Sequence, residues 1–321
     1  MTRALITGGS GFLGSYMAER LTRDGVEVFA TYFREPAHGR ANGHQGVRSV
    51  HMDINSRPDV ARVVEMTRPD VVYHFAGQAY VQPSWEDPVG TFGTNFAGTI
   101  HLLEELRRHR PRTPLAFAGS GTEYGEPDQV PTPEQAALRP TSPYAASKAA
   151  ADLACYQYHQ SFELPVFRYR IFGTTGVGKR GDVCNDFASQ VAAREHDAAP
   201  HLKVGDLSKQ RDIADVRDAV DAMVRVVERG TPGEAYNIGG GAARDVREIL
   251  DTLIRLSGAH FTVETEASRL RRVDEPVHLA DVSRLTSLGW RPSIPFDRTL
   301  QDILDSWRGA DGSAATARSP T

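Results

Sequence analysis

The 321-residue chain has little cysteine, no long apolar run and no excess of positive charge, and each shortage closes off a class of protein. Its two cysteines, Cys155 and Cys184, fall in no metal-ligand spacing, so neither a secreted-type disulfide framework nor a metal site is expected, and a reducing compartment is the simplest setting. Both read as packing residues rather than nucleophiles. No stretch approaches the roughly 18 apolar residues that a membrane span requires. Lys and Arg number 37 against 41 Asp and Glu, a formal net charge of −4. That leaves no cationic excess to neutralise phosphates over a broad surface, which argues against a nucleic-acid binder. Any anion site must be local. The first residues run straight into a short apolar strand, leaving no room for a signal peptide, so a cytoplasmic protein is expected.

What is present is ordinary for a globular chain: 40% hydrophobic and 24% charged residues. The first half alternates short β-rich apolar runs, near 3–7, 26–31, 48–52, 71–75, 114–119 and 165–171, with amphipathic stretches. This predicts an α/β fold, a Rossmann-type doubly wound parallel sheet. After residue 172 the rhythm changes to a Gly-rich stretch, a helix near 182–196 and a long helix near 213–229, so a smaller C-terminal substrate-binding domain is expected. The sequence places residues 1–171 in the first domain, with 207–240 returning to it through a strand at Ala235 to Ile238. Residues 172–206 and 241–309 form the second, and the small polar residues 310–321 read as a disordered tail.

Directly after the first strand, Thr7-Gly8-Gly9-Ser10-Gly11-Phe12-Leu13-Gly14 leads into a helix. Glycines at Gly8, Gly11 and Gly14 permit a tight turn and close backbone approach, so that a dinucleotide pyrophosphate can sit on the helix N-terminus beside Phe12 and Leu13. The second strand ends without the acid that suits NAD, and Arg34 follows, which favours NADP, with NAD as the alternative; Arg34 is equally readable as a solvated surface residue. Asp53, followed by Ile54, is read either as a partner for the adenine or as the cap of the next helix.

Ser142-Pro143-Tyr144-Ala145-Ala146-Ser147-Lys148 reads as a helix start, which sets Tyr144 and Lys148 on one face. A neighbouring ammonium and an oxidised nicotinamide both favour the phenolate, so Tyr144 can exchange a proton with a sugar hydroxyl or carbonyl as hydride moves. Ser120, at the end of the fifth strand, is placed to orient the same oxygen.

With these motifs the chain resembles the extended short-chain dehydrogenase/reductase family, from Thr7 to Trp307. His74-Phe75-Ala76-Gly77 and Asn95-Phe96-Ala97-Gly98-Thr99 match further segments. The resemblance implies that Ala76 and Gly77 lie along the cofactor and that Asn95 supports the active-site backbone. In the C-terminal half, Val204-Gly205-Asp206-Leu207, Arg211-Asp212, Asp215-Val216-Arg217-Asp218, Arg269 to Pro276 and Gly289-Trp290-Arg291-Pro292 resemble the branch of GDP-4-keto-6-deoxymannose reductases and GDP-mannose 4,6-dehydratases. This implies a nucleotide-diphosphate sugar, GDP-linked, as substrate, with Arg211 and Arg271 on its diphosphate and nucleoside. The alternative pairs those arginines with Asp206, Asp212 or Asp274. Gln78, Gly173 and Asn185 are further substrate-pocket candidates, and a homodimer through the helices near 88–109 and 142–162 is implied by analogy.

Two departures from the family pattern bear on the reaction. Dehydratases of this group carry an acid two residues before the tyrosine of the Tyr-Gly pair; here Thr122 stands there and Glu123 follows, turned to the other side if strand alternation continues. Relatives also carry Asn at the place of Gly173. Three reactions remain open: reduction of a 4-keto-6-deoxy sugar first, 4-epimerisation through a transient ketone second, and 4,6-dehydration with Glu123 as a displaced acid third. The non-enzyme alternative is a dinucleotide-binding sensor or scaffold.

Overall fold

The computed structural model describes residues 2–34, 46–269 and 276–310. Arg271, Asp274 and the expected tail beyond Ala310 lie outside the described residues. In chain order the elements are β1 (Arg3–Thr7), α1 (Phe12–Arg23), β2 (Glu27–Tyr32), β3 (Val47–His51), α2 (Arg57–Thr67) and β4 (Val71–His74). Next come α3 (Val81–Glu86), α4 (Pro88–Phe92), α5 (Gly98–His109), β5 (Leu115–Ser120), α6 (Pro143–Phe162) and β6 (Val166–Ile171). The remainder comprises β7 (Gly173–Thr175), α7 (Val183–Arg194), β8 (His201–Val204), β9 (Gln210–Asp215), α8 (Val216–Arg229) and β10 (Ala235–Ile238). It closes with β11 (Ala243–Asp245), α9 (Val246–Ser257), β12 (Thr262–Thr265), β13 (Val277–His278), α10 (Ser283–Ser287) and α11 (Phe296–Ala310).

These elements fall into two compact units. The first, residues up to 172 with 219–238 and 280–291, holds a seven-stranded parallel sheet in the order β10-β6-β5-β4-β1-β2-β3. Strands covered on both faces read as apolar runs, and Ala4, Leu5 and Ile6 of β1 are indeed fully buried. Chain order reverses between β1 and β4, the switch point at whose carboxyl ends a ligand crevice is expected. Apolar side chains of α2, α5 and α6, among them Val60, Val63, Leu102, Leu106 and Cys155, pack with Leu5, Val72 and Phe117 into one core. The second unit, residues 173–218, 239–279 and 292 onward, has β9 paired with β7, β11 and β13, and β12 with β8. Its core joins α7, α9 and α11 through residues such as Phe187, Val191, Leu250 and Leu304.

The partition differs from the expected one in a specific way. Residues 210–215 form a strand of the second unit rather than returning to the large sheet, and only 219–238 group with the first unit, together with 280–291. The long helix expected from residue 213 starts at Val216 because Asp215 ends β9 and its carboxylate accepts the Arg217 amide at 2.8 Å. The helix expected over 88–109 runs its full length with a π-type turn at Gly93–Ala97, which carries the buried Asn95.

One buried ion cluster fastens α6 to β6. Asp152 takes Arg168 Nη1 at 2.5 Å, and Arg170 Nε and Nη2 at 3.2 Å each. Arg168 also donates twice to the Gly233 carbonyl, and Arg170 Nη1 donates to the Tyr124 hydroxyl and the Glu134 carbonyl. Removing the shared carboxylate strands two guanidiniums away from water. Asp152→Ala should therefore destabilise the protein by about 3–5 kcal/mol in urea unfolding, where a loss under about 1 kcal/mol would contradict this reading.

Candidate active site

The glycine loop is shaped by contact as well as by conformation. Gly8 has φ +68°, and a Cβ there would stand 2.7 Å from the Ala76 amide nitrogen, while one on Gly14 would run into the Gly8 carbonyl. Helix α1 starts after Gly11 with no side-chain cap and no acid in its first turn. Its first-turn amides and positive end, flanked by the half-buried Phe12 and Leu13, suit a diphosphate. Past β2, Phe33 and Arg34 are exposed, with the guanidinium 5.9 Å from the phenyl centroid. Asp53 is not the cap of α2: Ser56 is, accepting the Asp59 amide, while Asp53 accepts the Asn55 amide at 2.9 Å. Ile54 is 6% exposed and its side chain fills the space that a Cβ on Gly98 would need. Its carbonyl oxygen lies 3.1 Å from His101 Nδ1.

At the end of β5, Ser120 begins a tight turn, Gly121–Tyr124, closed by a reciprocal capping box. The Ser120 hydroxyl accepts the Thr122 amide at 3.3 Å and lies 2.9 Å from the Thr122 hydroxyl, and Glu123 Oε1 accepts the Ser120 amide at 2.6 Å. Helix α6 is capped by Ser142, which accepts the Ala145 amide. From its first turn the half-buried Tyr144 reaches the Ser120 hydroxyl. Burial pushes the Tyr144 phenol up to about 12, opposed by the Ser120 hydrogen bond. One turn on, Lys148 is buried; its Nζ donates to the Ala118 carbonyl at 2.8 Å and lies 5.4 Å from the Phe117 ring centroid. Burial lowers the Lys148 ammonium to about 8, against the raising effect of Glu123. A Cβ on Gly77 would stand 3.4 Å from that Nζ, so glycine keeps open the approach to Lys148.

Glu123 does not fit a role as acid to the substrate. Its side chain is sealed from solvent, Oε2 lies 3.7 Å from Arg170 Nε, and burial followed by repulsion from Asp152 raises its pKa. It is turned away from the Thr122 side, as strand alternation suggested, although the chain leaves the strand at Ser120 and the capping-box turn sets its direction. The Ser-x-x-Glu spacing of Ser120 and Glu123 is the sequence signal of a capping box and would have found it. Likewise, extending the four-residue spacing of Tyr144 and Lys148 by one more step reaches Asp152 on the same face.

A hydrogen-bond chain joins the glycine loop to the start of α6. The Ala76 amide donates to Thr7 Oγ1 at 3.2 Å, and Thr7 Oγ1 lies 2.6 Å from His74 Nδ1. His74 Nε2 lies 3.0 Å from Thr99 Oγ1, which donates to the Asn95 carbonyl at 2.7 Å. Because Thr99 spends its proton there, it accepts from His74 Nε2–H, which leaves Nδ1 to accept from Thr7. Asn95 continues the chain: its amide donates to the Gln78 carbonyl and Ser147 Oγ, and Ser147 donates to the Tyr144 carbonyl. Asn95 Oδ1 accepts the Gln78 amide, and the Gln78 side chain bonds the Tyr80 backbone and Thr91.

In the second unit the expected substrate residues divide. Gly173 is glycine because a Cβ would run into the Asp212 carbonyl, which excludes the family's Asn by packing alone. Asn185, expected to meet substrate, is 3% exposed, and its amide holds the Gly176 carbonyl and Thr175 and accepts from Trp307. It shapes its loop instead. Arg211 lies within β9 and donates to the Gln210 carbonyl, while Asp206 pairs with Lys209, and Asp212 caps the Gly240 and Gly241 amides.

The family pattern of GDP-mannose 4,6 dehydratase matches residues 5–303. A GDP-6-deoxy-D-mannose reductase of Pseudomonas aeruginosa is 31% identical over 244 residues, 74% of this chain and 80% of its own. The structure described as RMD from Pseudomonas aeruginosa complexed with NADPH superposes with a TM-score of 0.83 at 27% identity, covering 97% of this chain and all of the other. A Thermus thermophilus UDP-glucose 4-epimerase in complex with NAD gives a TM-score of 0.85 at 31% identity over 96% of this chain and 100% of its own. The chain belongs to the GDP-mannose 4,6 dehydratase family, among the extended short-chain dehydrogenase/reductases of NAD-dependent epimerase/dehydratase type. It is a member of the superfamily of nucleotide-sugar epimerases, reductases and dehydratases.

The buried His74 gives the site a pH signature. Burial first, and the Lys148 charge second, lower its pKa from 6.5 to about 3, so the folded protein holds it neutral. Below the unfolded value the unfolded chain binds a proton that the folded one refuses, and stability is lost as pH falls through this window. The loss should reach about 1.4 kcal/mol per pH unit, attributable to this one group. Urea titrations of wild type and His74→Gln between pH 7 and 5 should differ in slope by an amount of this order; parallel slopes would refute the assignment.

Proposed function

We propose that the protein reduces the 4-keto group of a 4-keto-6-deoxy GDP-hexose, with Tyr144 as proton donor, Lys148 as its charged support and Ser120 as the orienting hydroxyl. The observation that carries this is the hydroxyl cluster of Ser120, Thr122 and Tyr144, beside which the carboxylic acid of the same turn, Glu123, is turned into the interior. Reduction of a ketone needs an acid at the nascent alkoxide, and a phenol held protonated is that acid at neutral pH. The bound nicotinamide supplies the hydride. The Ser120 hydroxyl, steadied by Thr122 and the Glu123 contact to its amide, fixes where the carbonyl oxygen sits. Lys148, held by the Ala118 carbonyl one helical turn beyond Tyr144, is the positive charge this reading assigns to support the phenol as it gives up its proton. Dehydration would need a further acid and base next to the sugar. Thr122 offers none, and Glu123 has no exposed surface.

NADP is the favoured cofactor: no acid ends β2, Arg34 follows it, and the structure of RMD from Pseudomonas aeruginosa is complexed with NADPH. NAD is the alternative, as in the Thermus epimerase, and 4-epimerisation is the second reading because that relative matches nearly the whole chain. Cytoplasmic residence belongs to the same proposal and is supported by two free, buried cysteines. So does a homodimer through the helical segments over 88–109 and 142–162, on which Val89 and Leu153 are exposed.

Tyr144→Phe should lower turnover by about 10²–10⁴-fold while leaving cofactor binding intact. Wild-type enzyme given freshly made GDP-4-keto-6-deoxymannose should oxidise NADPH stoichiometrically. Isomerisation of a nucleotide sugar without net oxidation would transfer the assignment to the epimerase reading, and undiminished turnover in Tyr144→Phe would overturn the catalytic assignment altogether.

A further inference from the structure

Glu123 takes no part in the transfer just described, yet it is bonded into that site from within. Oε1 accepts the Ser120 amide at 2.6 Å, and it would lie 2.5 Å from a Cβ on Gly119. The residue before Gly119 is Ala118, whose carbonyl holds Lys148 Nζ at 2.8 Å. One carboxylate thus grips the backbone between the two polar groups that flank Tyr144. Oε2 is buried and has no hydrogen-bond donor among the described residues; Arg170 Nε, 3.7 Å away, faces it. Such a placement is costly for a carboxylate that served only to close a turn, because a neutral acceptor would satisfy the Ser120 amide equally well.

We propose that Glu123 is a positioning residue of the reaction, holding Ser120 through its amide and, in its ionised form, acting on Tyr144 and Lys148 from the side away from substrate. The proposal rests on the assignment of Ser120, Tyr144 and Lys148 as the reacting groups. The titratable and charged groups around the carboxylate are Tyr144, Lys148, Asp152 and Cys155 from α6, Arg170 from β6 and Tyr124 from its own turn. Ionised Glu123 raises the proton affinity of both Tyr144 and Lys148. Removing its charge can then only make the phenol more acidic, whatever the proton balance between Glu123 and Asp152.

Two variants separate the charge from the amide contact. Glu123→Gln keeps an acceptor oxygen for Ser120 and removes the charge; Glu123→Leu removes both. In cofactor-free protein, ultraviolet difference titration against a Tyr144→Phe background should find the Tyr144 phenol titrating about one pH unit lower in Glu123→Gln. The basic limb of the kcat–pH profile should shift the same way. Glu123→Leu should lose about tenfold or more in kcat with the cofactor Kd unchanged, and Gln at the position should restore most of that loss. An unmoved phenol titration in Glu123→Gln overturns the electrostatic half, and equal rates in the Gln and Leu variants overturn the positional half. If Glu123→Leu does not fold, the positional half is decided in Glu123→Gln, where a kcat as low as that of Ser120→Ala would overturn it. Survival of turnover in Tyr144→Phe would instead overturn the assignment of the reacting groups, an outcome the phenol titration of Glu123→Gln does not depend on.

Discussion

Much of the active site is organised around a buried ammonium. Lys148 loses its water, and three groups offset the loss: the Ala118 carbonyl, the face of Phe117 and the charge of Glu123. Bringing it there requires α6 to lie close against β5, which the small, buried Ala145, Ala149 and Ala151 permit. It also requires Gly119 and Gly77 to lack side chains, since a Cβ at the first would strike Glu123 and one at the second would crowd Asn95 and Lys148. Depressed toward 8, the ammonium stays largely charged at neutral pH.

The same helix turns its next residue on that face, Asp152, to a different task. Buried ion pairs rarely stabilise a fold relative to well-packed apolar groups, but they penalise every arrangement in which one partner is left alone. Asp152 is shared by Arg168 and Arg170, which reach in turn to Gly233, Tyr124 and Glu134, so that α6, β6 and the turn after β5 fit in one register only. Specificity of position is what a proton transfer between Tyr144 and an oriented carbonyl needs, since an error of an ångström is costly there.

The parts of this architecture visible in the sequence are those written in local patterns. The six strands of the first half lie within a residue or two of their apolar runs, and β10 coincides with Ala235 to Ile238, because buried parallel strands leave uninterrupted β-rich segments. Tyr144 and Lys148 were readable from helical spacing. What was hidden depends on contacts across the chain. Residues 213–215 carry an amphipathic pattern compatible with helix, and only pairing with β7 makes them strand. Gly173 gives no sign that the carbonyl of Asp212 excludes a side chain there. Nor could Asn185 be recognised as a strut for its own loop without Trp307 beside it.

The coupling between cofactor loop and catalytic helix follows from direction in the hydrogen-bond chain. Each hydroxyl from Thr7 through Thr99 has one proton to give, and the single tautomer of His74 that satisfies both ends fixes which way every proton points. Asn95 can then be held with its oxygen toward the Gln78 amide and its nitrogen toward Ser147, because the reverse would set donor against donor. A displacement of the Gly8 turn, which rests on the Ala76 backbone, would have to break this sequence of bonds before Tyr144 could remain where it is. If hydride and proton must reach two atoms of one carbonyl, as proposed, a network with only one satisfied orientation links the loop that would carry the hydride donor to the helix that would carry the acid.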